Sequence, residues 1–157
     1  MIENCNPLGI NEFHQDNYQE GMDRVLVARD VGGHHYRIEN ESRNYLIKLR
    51  LIEDQNNRKC DYLVLNCSTR NAYFVELKGQ NLSDAVRQIE ATLNALGKRL
   101  STFKFYCRIV QTKVIGATQQ ADRERLVKYL KDKHKANIEG KVAELVKVGS
   151  QVLIDKI

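Results

Sequence analysis

Two acids and a lysine stand where charge is costly. The stretch "KCDYLVLNCSTRNAYFVELKGQ" (59–80) sets Asp61 ahead of one apolar run and Glu76 and Lys78 at the end of the next. A buried carboxylate is strongly unfavourable unless it is paired, hydrogen-bonded or bound to a cation. Side chains alternate along a strand, so Phe74, Glu76 and Lys78 share one face, and Tyr73, Val75 and Leu77 the other. With a hairpin turn at Ser68-Thr69, Asp61 lies across from Glu76, at a Cβ separation of about 5 Å. Carboxylates that close repel, which raises one pKa unless a cation lies between them. A divalent ion that prefers oxygen suits the place: Mg²⁺ takes one or two carboxylates with waters and phosphate oxygens. Lys78 would help neutralise the site and could steer or deprotonate an attacking water. That set of groups suits phosphodiester hydrolysis, in which a metal polarises the phosphate and lowers the pKa of bound water.

The elements that must position these residues can be read from the pattern. "RVLVA" (24–28) reads as a short strand, and "HHYRI" (34–38) with "RNYLIKLRLI" (43–52) reads as a hairpin around "ENES". "DYLVL" (61–65) and "AYFVELK" (72–78) form a second hairpin around "NCSTRN". After Gly79 the period changes: Leu82, Val86, Ile89, Leu93, Leu96 and Leu100 make one helical stripe. Ser83 can cap that helix, with Asp84 in its first turn. Gln88 lies two turns in. "KFYCRIVQTKVIGA" (104–117) returns to strand character. "QADRERLVKYLKDKHK" (120–135) is a basic helix with Leu126, Val127 and Leu130 inward. "KVAELVKVGSQVLIDKI" reads as a final hairpin turning at Gly149-Ser150. The expected class is α/β (α+β): a mixed central β-sheet flanked by helices, with a C-terminal β-hairpin. One domain, 1–157, is expected, with residues 1–21 polar and turn-rich, the core at 43–117, and the basic helix and hairpin at 118–157.

Composition narrows the function classes. The chain is 42% apolar and 29% charged, as ordinary globular proteins are. No apolar run approaches a membrane span and no basic, apolar leader opens the chain, so a cytoplasmic protein is expected. Cys5, Cys60, Cys67 and Cys107 have no zinc-site spacing and read as reduced thiols. No GxxxxGK[ST] pattern suggests ATP use. His34 and His35 alternate across a strand and cannot both hold one metal. Net charge is +5, and Lys98 to Lys147 carries 13 Lys or Arg against 5 Asp or Glu. A polyanion partner fits that field, as does a merely solvated helix face.

An Asp opening one strand of a hairpin, Glu-x-Lys in the next, and then a helix resembles the PD-(D/E)xK nuclease superfamily, which includes restriction endonucleases and Holliday junction resolvases. The resemblance covers roughly residues 43 to 117. It implies a restriction endonuclease-like fold, Asp61 and Glu76 as ligands of Mg²⁺ or Mn²⁺, and a metal shell completed by the Leu77 carbonyl. It implies Lys78 as the residue that positions or activates water and Gln88 as a supporting polar group. Many members add an acid upstream; Glu41 is the first candidate here, followed by Glu39 and Glu20. Cys60 stands where the family often has Pro. The activity implied is a DNA endonuclease, with Arg87, Lys98, Arg123 and Lys128 as nucleic-acid contacts and a homodimer as a way to span a duplex. Two alternatives stay open: a catalytically inactive member of the fold that binds nucleic acid or a protein, and an RNA-directed nuclease or binder.

Overall fold

The computed structural model describes residues 3–79, 81–112 and 116–157, the side chains of 78, 79 and 116–119 excepted. Its elements are β1 (Gln19–Gly21), β2 (Val25–Arg29), β3 (His35–Glu39), β4 (Leu46–Arg50), β5 (Tyr62–Asn66), β6 (Asn71–Gly79), α1 (Leu82–Leu96), β7 (Lys104–Gln111), α2 (Gly116–Lys133), α3 (Val142–Leu145), β8 (Val146–Ser150) and β9 (Val152–Lys156). Six strands form the central sheet in the order β1-β4-β5-β6-β7-β8. The first four run antiparallel to their neighbours, whereas β6, β7 and β8 are parallel. Helices flank this mixed sheet, as the pattern anticipates.

Alternation decides what each face meets. Ile47, Leu49, Leu63, Leu65, Phe74, Phe105 and Ile109 pack with Val86, Ile89 and Leu93 of α1 and Leu126 and Leu130 of α2. The opposite face presents Leu46, Tyr62, Val64, Tyr73, Val75 and Leu77 to a second sheet, through its Leu26, Ala28, Tyr36 and Ile38. That sheet is three-stranded, ordered β2-β3-β9. With both faces covered, all five residues of β5 are buried, which explains why "YLVLN" reads as a nearly continuous apolar run.

Three expectations are corrected, two of them by the second sheet. No 34–52 hairpin forms: β3 pairs antiparallel with β2, and β4 joins the other sheet. The hairpin turn lies instead at Gly32-Gly33, where Gly33 takes φ +87, a conformation open to glycine at no steric cost. Asn40 redirects the chain afterwards, donating to the carbonyls of Asp23 and Asn44. The C-terminal pair is not a hairpin either. β8 extends the central sheet beside β7, and β9 lies parallel to β3. Gln151, at φ +66, turns the chain from one sheet to the other. A Cβ on Gly149 would sit 2.9 Å from the Val152 carbonyl, so this crossing needs glycine. Finally, β7 ends at Gln111 and α2 starts at Gly116, earlier than 120.

The helix cap and the thiols also differ from expectation. Asn81, not Ser83, caps α1, accepting from the Asp84 N–H at 3.3 Å. Cys5 and Cys67 form a disulfide that ties the N-terminal segment to the β5–β6 turn, while Cys60 and Cys107 are free and buried. The bond closes a separation of 62 residues, for which chain entropy gives at most about 4 kcal/mol of stabilisation. Reduction with dithiothreitol is therefore expected to lower urea-unfolding stability by roughly 2–4 kcal/mol; an unchanged midpoint would contradict the link. Among the described residues no helix is long and apolar enough to cross a membrane.

Candidate active site

The β5–β6 hairpin delivers the two acids as its register requires. Tyr62 pairs with Val75 and Asn66 with Asn71, so the next step outward sets Asp61 opposite Glu76. The Asp61 N–H donates to Glu76 Oε1 at 3.1 Å, and the Leu77 N–H donates to Asp61 Oδ2 at 2.8 Å. The two side chains are also hydrogen-bonded to each other. They therefore converge.

Beyond Glu76 the strand is irregular. Glu76 faces Ile109 of β7 while Gly79 faces Gln111, so β6 carries one residue more than its neighbour over this span. Such a bulge re-aims side chains at a sheet's rim. Leu77 and Lys78 occupy it. The Leu77 side chain is buried on the opposite face, and the expected position of the Lys78 ammonium lies outside the described residues.

Helix α1 supplies the support. Gln88 Nε2 donates to Glu76 Oε2 at 2.8 Å, so the residue expected to back the site does so by direct contact. One turn on, Thr92 Oγ1 donates to the Gln88 carbonyl and accepts from the Cys60 N–H, both at 2.7 Å. Thr92 thus clamps the residue before Asp61 to the helix that holds Glu76. Proline at position 60 would lack the N–H that this clamp uses. Sequence reasoning missed Thr92, although it falls on the helix face that carries Ile89 and Leu93. Thr92→Val keeps the shape and removes the hydroxyl, leaving the buried Cys60 N–H unpaired. A loss of about 1–3 kcal/mol in urea unfolding is expected; a neutral change would show that water replaces the clamp.

Charge behaves as a crowded acid pair should. Glu76 is 3% exposed. Burial first, then the Asp61 charge and the hydrogen bond to it, push its carboxyl from 4.5 up to about 9, with Glu53 adding to the rise. The pair as a whole therefore tends to keep a proton near neutral pH. Burial likewise raises the Cys60 thiol well above its ordinary value, which keeps it an inert neighbour.

The upstream acid is not where the sequence suggests. β4 runs antiparallel to β5, and its first residue, Leu46, pairs with Asn66. Glu41 precedes that end, its N–H bonded to the Ile157 carbonyl at 3.1 Å, so it sits at the opposite end of the sheet from Asp61. Glu39 belongs to the small sheet, opposite Lys156. Glu20, beside Ile47 on β1, accepts from the Tyr45 hydroxyl. Glu53, in the loop leading to Asp61, is instead the further acid whose charge Glu76 feels. Among the described residues no group of three or more His, Cys, Asp or Glu is placed to hold a metal ion.

No family model, curated protein or solved structure matches the chain. The case for Asp61, Glu76, Leu77 and Lys78 rests on the residues themselves.

The four cations expected to grip nucleic acid are dispersed. Arg87 adjoins Gln88, but its guanidinium bonds Asp84 at 3.2 Å. Lys98 lies in a 3₁₀ turn after α1, about 15 Å along the axis from Gln88. Arg123 is structural: it donates to the carbonyls of Val146 at 3.0 Å and Ala143 at 3.4 Å. Lys128 is exposed on α2. His34 is held between Asp30, at 3.2 Å, and the Thr112 hydroxyl, at 3.4 Å; this ties the β2–β3 turn to the end of β7.

Proposed function

We propose that this protein is a divalent-metal-dependent endonuclease of the PD-(D/E)xK type, hydrolysing phosphodiester bonds in DNA. The observation that carries the proposal is the Asp61–Glu76 carboxyl pair, hydrogen-bonded together at the bulged end of β6. The donor set fits the implied metal. A half-buried carboxyl set against a buried one favours keeping a proton on the pair, and a hard cation with oxygen preference relieves that conflict. Asp61 and Glu76 would hold Mg²⁺ or Mn²⁺, with the Leu77 carbonyl completing the set. Once bound, the ion would polarise the scissile phosphate and acidify bound water.

The remaining work falls to the chain. Gln88 fixes the orientation of Glu76, and the Leu77 N–H fixes Asp61. Glu76 must release its proton before it can serve as a ligand, so activity should rise with pH. Lys78 orients the attacking water or takes its proton. A homodimer would let two such sites address both strands. Cytoplasmic action belongs to the same proposal; there the Cys5–Cys67 bond would face a reducing thiol pool.

Glu53 is felt by Glu76 as a charge, but among the described residues no third acid joins the pair as a metal-holding group, which favours one second reading, a nuclease-fold protein that binds nucleic acid or a protein without cutting. An RNA-directed activity shares the same electrostatics. Plasmid and branched DNA incubated with Mg²⁺ or Mn²⁺ separate these cases, with Lys78→Ala as the control and RNA as competitor. Ion-dependent cutting that Lys78→Ala loses supports the nuclease. Binding without cutting supports the binder, and preferential loss of activity to RNA competitor redirects the substrate.

A further inference from the structure

Beside the acid pair, on the opposite face of the central sheet, lies a concavity of about 350 Å³ whose lining includes Arg29, Asp30, Lys48, Arg50 and Tyr62. Lys48 and Arg50 are two apart on β4 and so point to the same face, toward the small sheet whose strand β2 ends at Arg29. Lys48 Nζ donates to the Val27 carbonyl at 2.9 Å and lies 5.9 Å from the centre of the Tyr62 ring. The Tyr62 hydroxyl donates to the Arg29 carbonyl at 2.8 Å, which fixes the wall between the two strands.

The charges here are unbalanced. Among the described residues no carboxylate forms a salt bridge with Arg29, Lys48 or Arg50. The one acid in the lining, Asp30, is already engaged by the N–H groups of Gly32 and His34 and by the His34 ring. Burial and then the Arg29 charge hold the Lys48 ammonium below its usual pKa. The Arg29 and Lys48 charges therefore repel each other across the hollow, and an anion between them would relieve that repulsion. Location adds the second argument. Arg50 pairs with Tyr62, and the following residue, Leu51, donates its N–H to the Asp61 carbonyl at 3.0 Å. The lining residue Tyr62, which opens β5, is the immediate neighbour of Asp61, on the other face of the sheet.

We propose that this concavity is a phosphate subsite, in which Arg29, Lys48 and Arg50 hold the nucleic-acid backbone flanking the acid pair. The inference rests on the nuclease reading for the identity of the ligand, not for the existence of the anion site. Arginine suits the task because its planar fork engages phosphate oxygens in pairs, and contacts of this kind set register rather than sequence.

The test is oligonucleotide binding by fluorescence anisotropy over a salt series, in EDTA so that nothing is cut. Arg29→Gln/Arg50→Gln should weaken binding about ten-fold and reduce the log–log salt slope by about 2. Lys48→Met should weaken it separately, and Lys98→Gln/Lys128→Gln should leave it within about two-fold. Arg29 and Arg50 are exposed, so the double variant should keep its circular dichroism spectrum. An unchanged affinity and slope in that variant overturns the proposal, as does wild-type protein that binds inorganic phosphate as tightly as it binds the oligonucleotide. Binding lost in the variant from a protein that cuts nothing leaves the subsite standing and removes the nuclease. Cutting that persists in the variant with unchanged affinity does the reverse.

Discussion

Glu76→Gln is expected to abolish metal-dependent cleavage, by a factor on the order of 10³ or about 4 kcal/mol of barrier, while stabilising the metal-free protein in alkaline solution. The first effect follows from losing one of the two anionic ligands of the proposed metal site. The second follows from titration. The Glu76 carboxyl is pushed from 4.5 in the free group to about 9 in the fold, chiefly by burial and then by Asp61. Between those values the native state holds a proton that the unfolded chain has released. Stability attributable to the group is thus complete below about 4.5 and is lost as pH rises toward about 9. Each pH unit crossed in that window costs at most about 1.4 kcal/mol. Glutamine does not titrate, and its amide can stand in for the protonated acid, with the Gln88 amide turned over to accept. Thermal unfolding of the two proteins in EDTA should nearly coincide near pH 5 and diverge in favour of the variant by pH 8. Parallel curves would mean that Glu76 is already charged in the fold.

Asp155→Ala is expected to cost about 3–5 kcal/mol of folding stability, lowering Tm by roughly 6–20 °C for a chain of this size. Asp155 of β9 is 6% exposed, and it meets Arg108 of β7, 3% exposed, with Arg108 Nε at 2.5 Å. Tyr36 donates its hydroxyl to the same carboxylate oxygen at 2.6 Å, and Lys147 donates to the other at 2.9 Å. The Arg108 guanidinium also lies 5.5 Å from the ring centres of both Tyr73 and Tyr106. One carboxylate thus joins the central sheet to the small one. Removing it leaves a buried guanidinium with no counter-charge and Tyr36 with no acceptor, a loss far larger than a surface pair would give. Burial opposes the Asp155 charge, but Arg108 and the hydrogen bonds from Arg108, Tyr36 and Lys147 outweigh it, so its pKa falls below 3.8. Its contribution is therefore present above about pH 4 and is lost as pH drops through that lowered value. Urea titration at neutral pH tests the magnitude, and a change below about 1 kcal/mol would remove this carboxylate from the account.

Local pattern sets Asp61 opposite Glu76. The turn at Ser68-Thr69 and the stripe of α1 are legible because each depends on residues close in sequence and on a fixed period, whereas Gln88 is singled out only by the resemblance. The pairing of β3 and β9 is not legible, since their partners lie more than a hundred residues apart and alternation shows which side of a strand is buried without naming the strand beside it. "HHYRI" accordingly reads as the partner of the strand that follows it, whereas it pairs with β2 and β9, and "KVAELVKVGSQVLIDKI" reads as a hairpin although its two strands join different sheets. The disulfide was hidden for the same reason: nothing near Cys5 indicates that Cys67 will meet it. Glu41 is close to β4 in sequence but lies at the end of that strand away from Asp61, and of the two α2 cations Arg123 serves carbonyl oxygens while Lys128 is exposed. Nothing in the strand pattern of "RNYLIKLRLI" singles out Lys48 and Arg50. Their significance requires the second sheet, which makes a hollow of that surface.

The most direct measurement is a calorimetric titration of Mn²⁺ into the protein at pH 6 and pH 8, in buffers of different ionisation enthalpy. Wild-type protein should bind more tightly at the higher pH and release about one proton per ion at the lower, and Asp61→Asn should bind neither Mn²⁺ nor Mg²⁺ measurably. Affinity that ignores pH, or that survives in Asp61→Asn, would contradict an ion held by these two carboxyl groups.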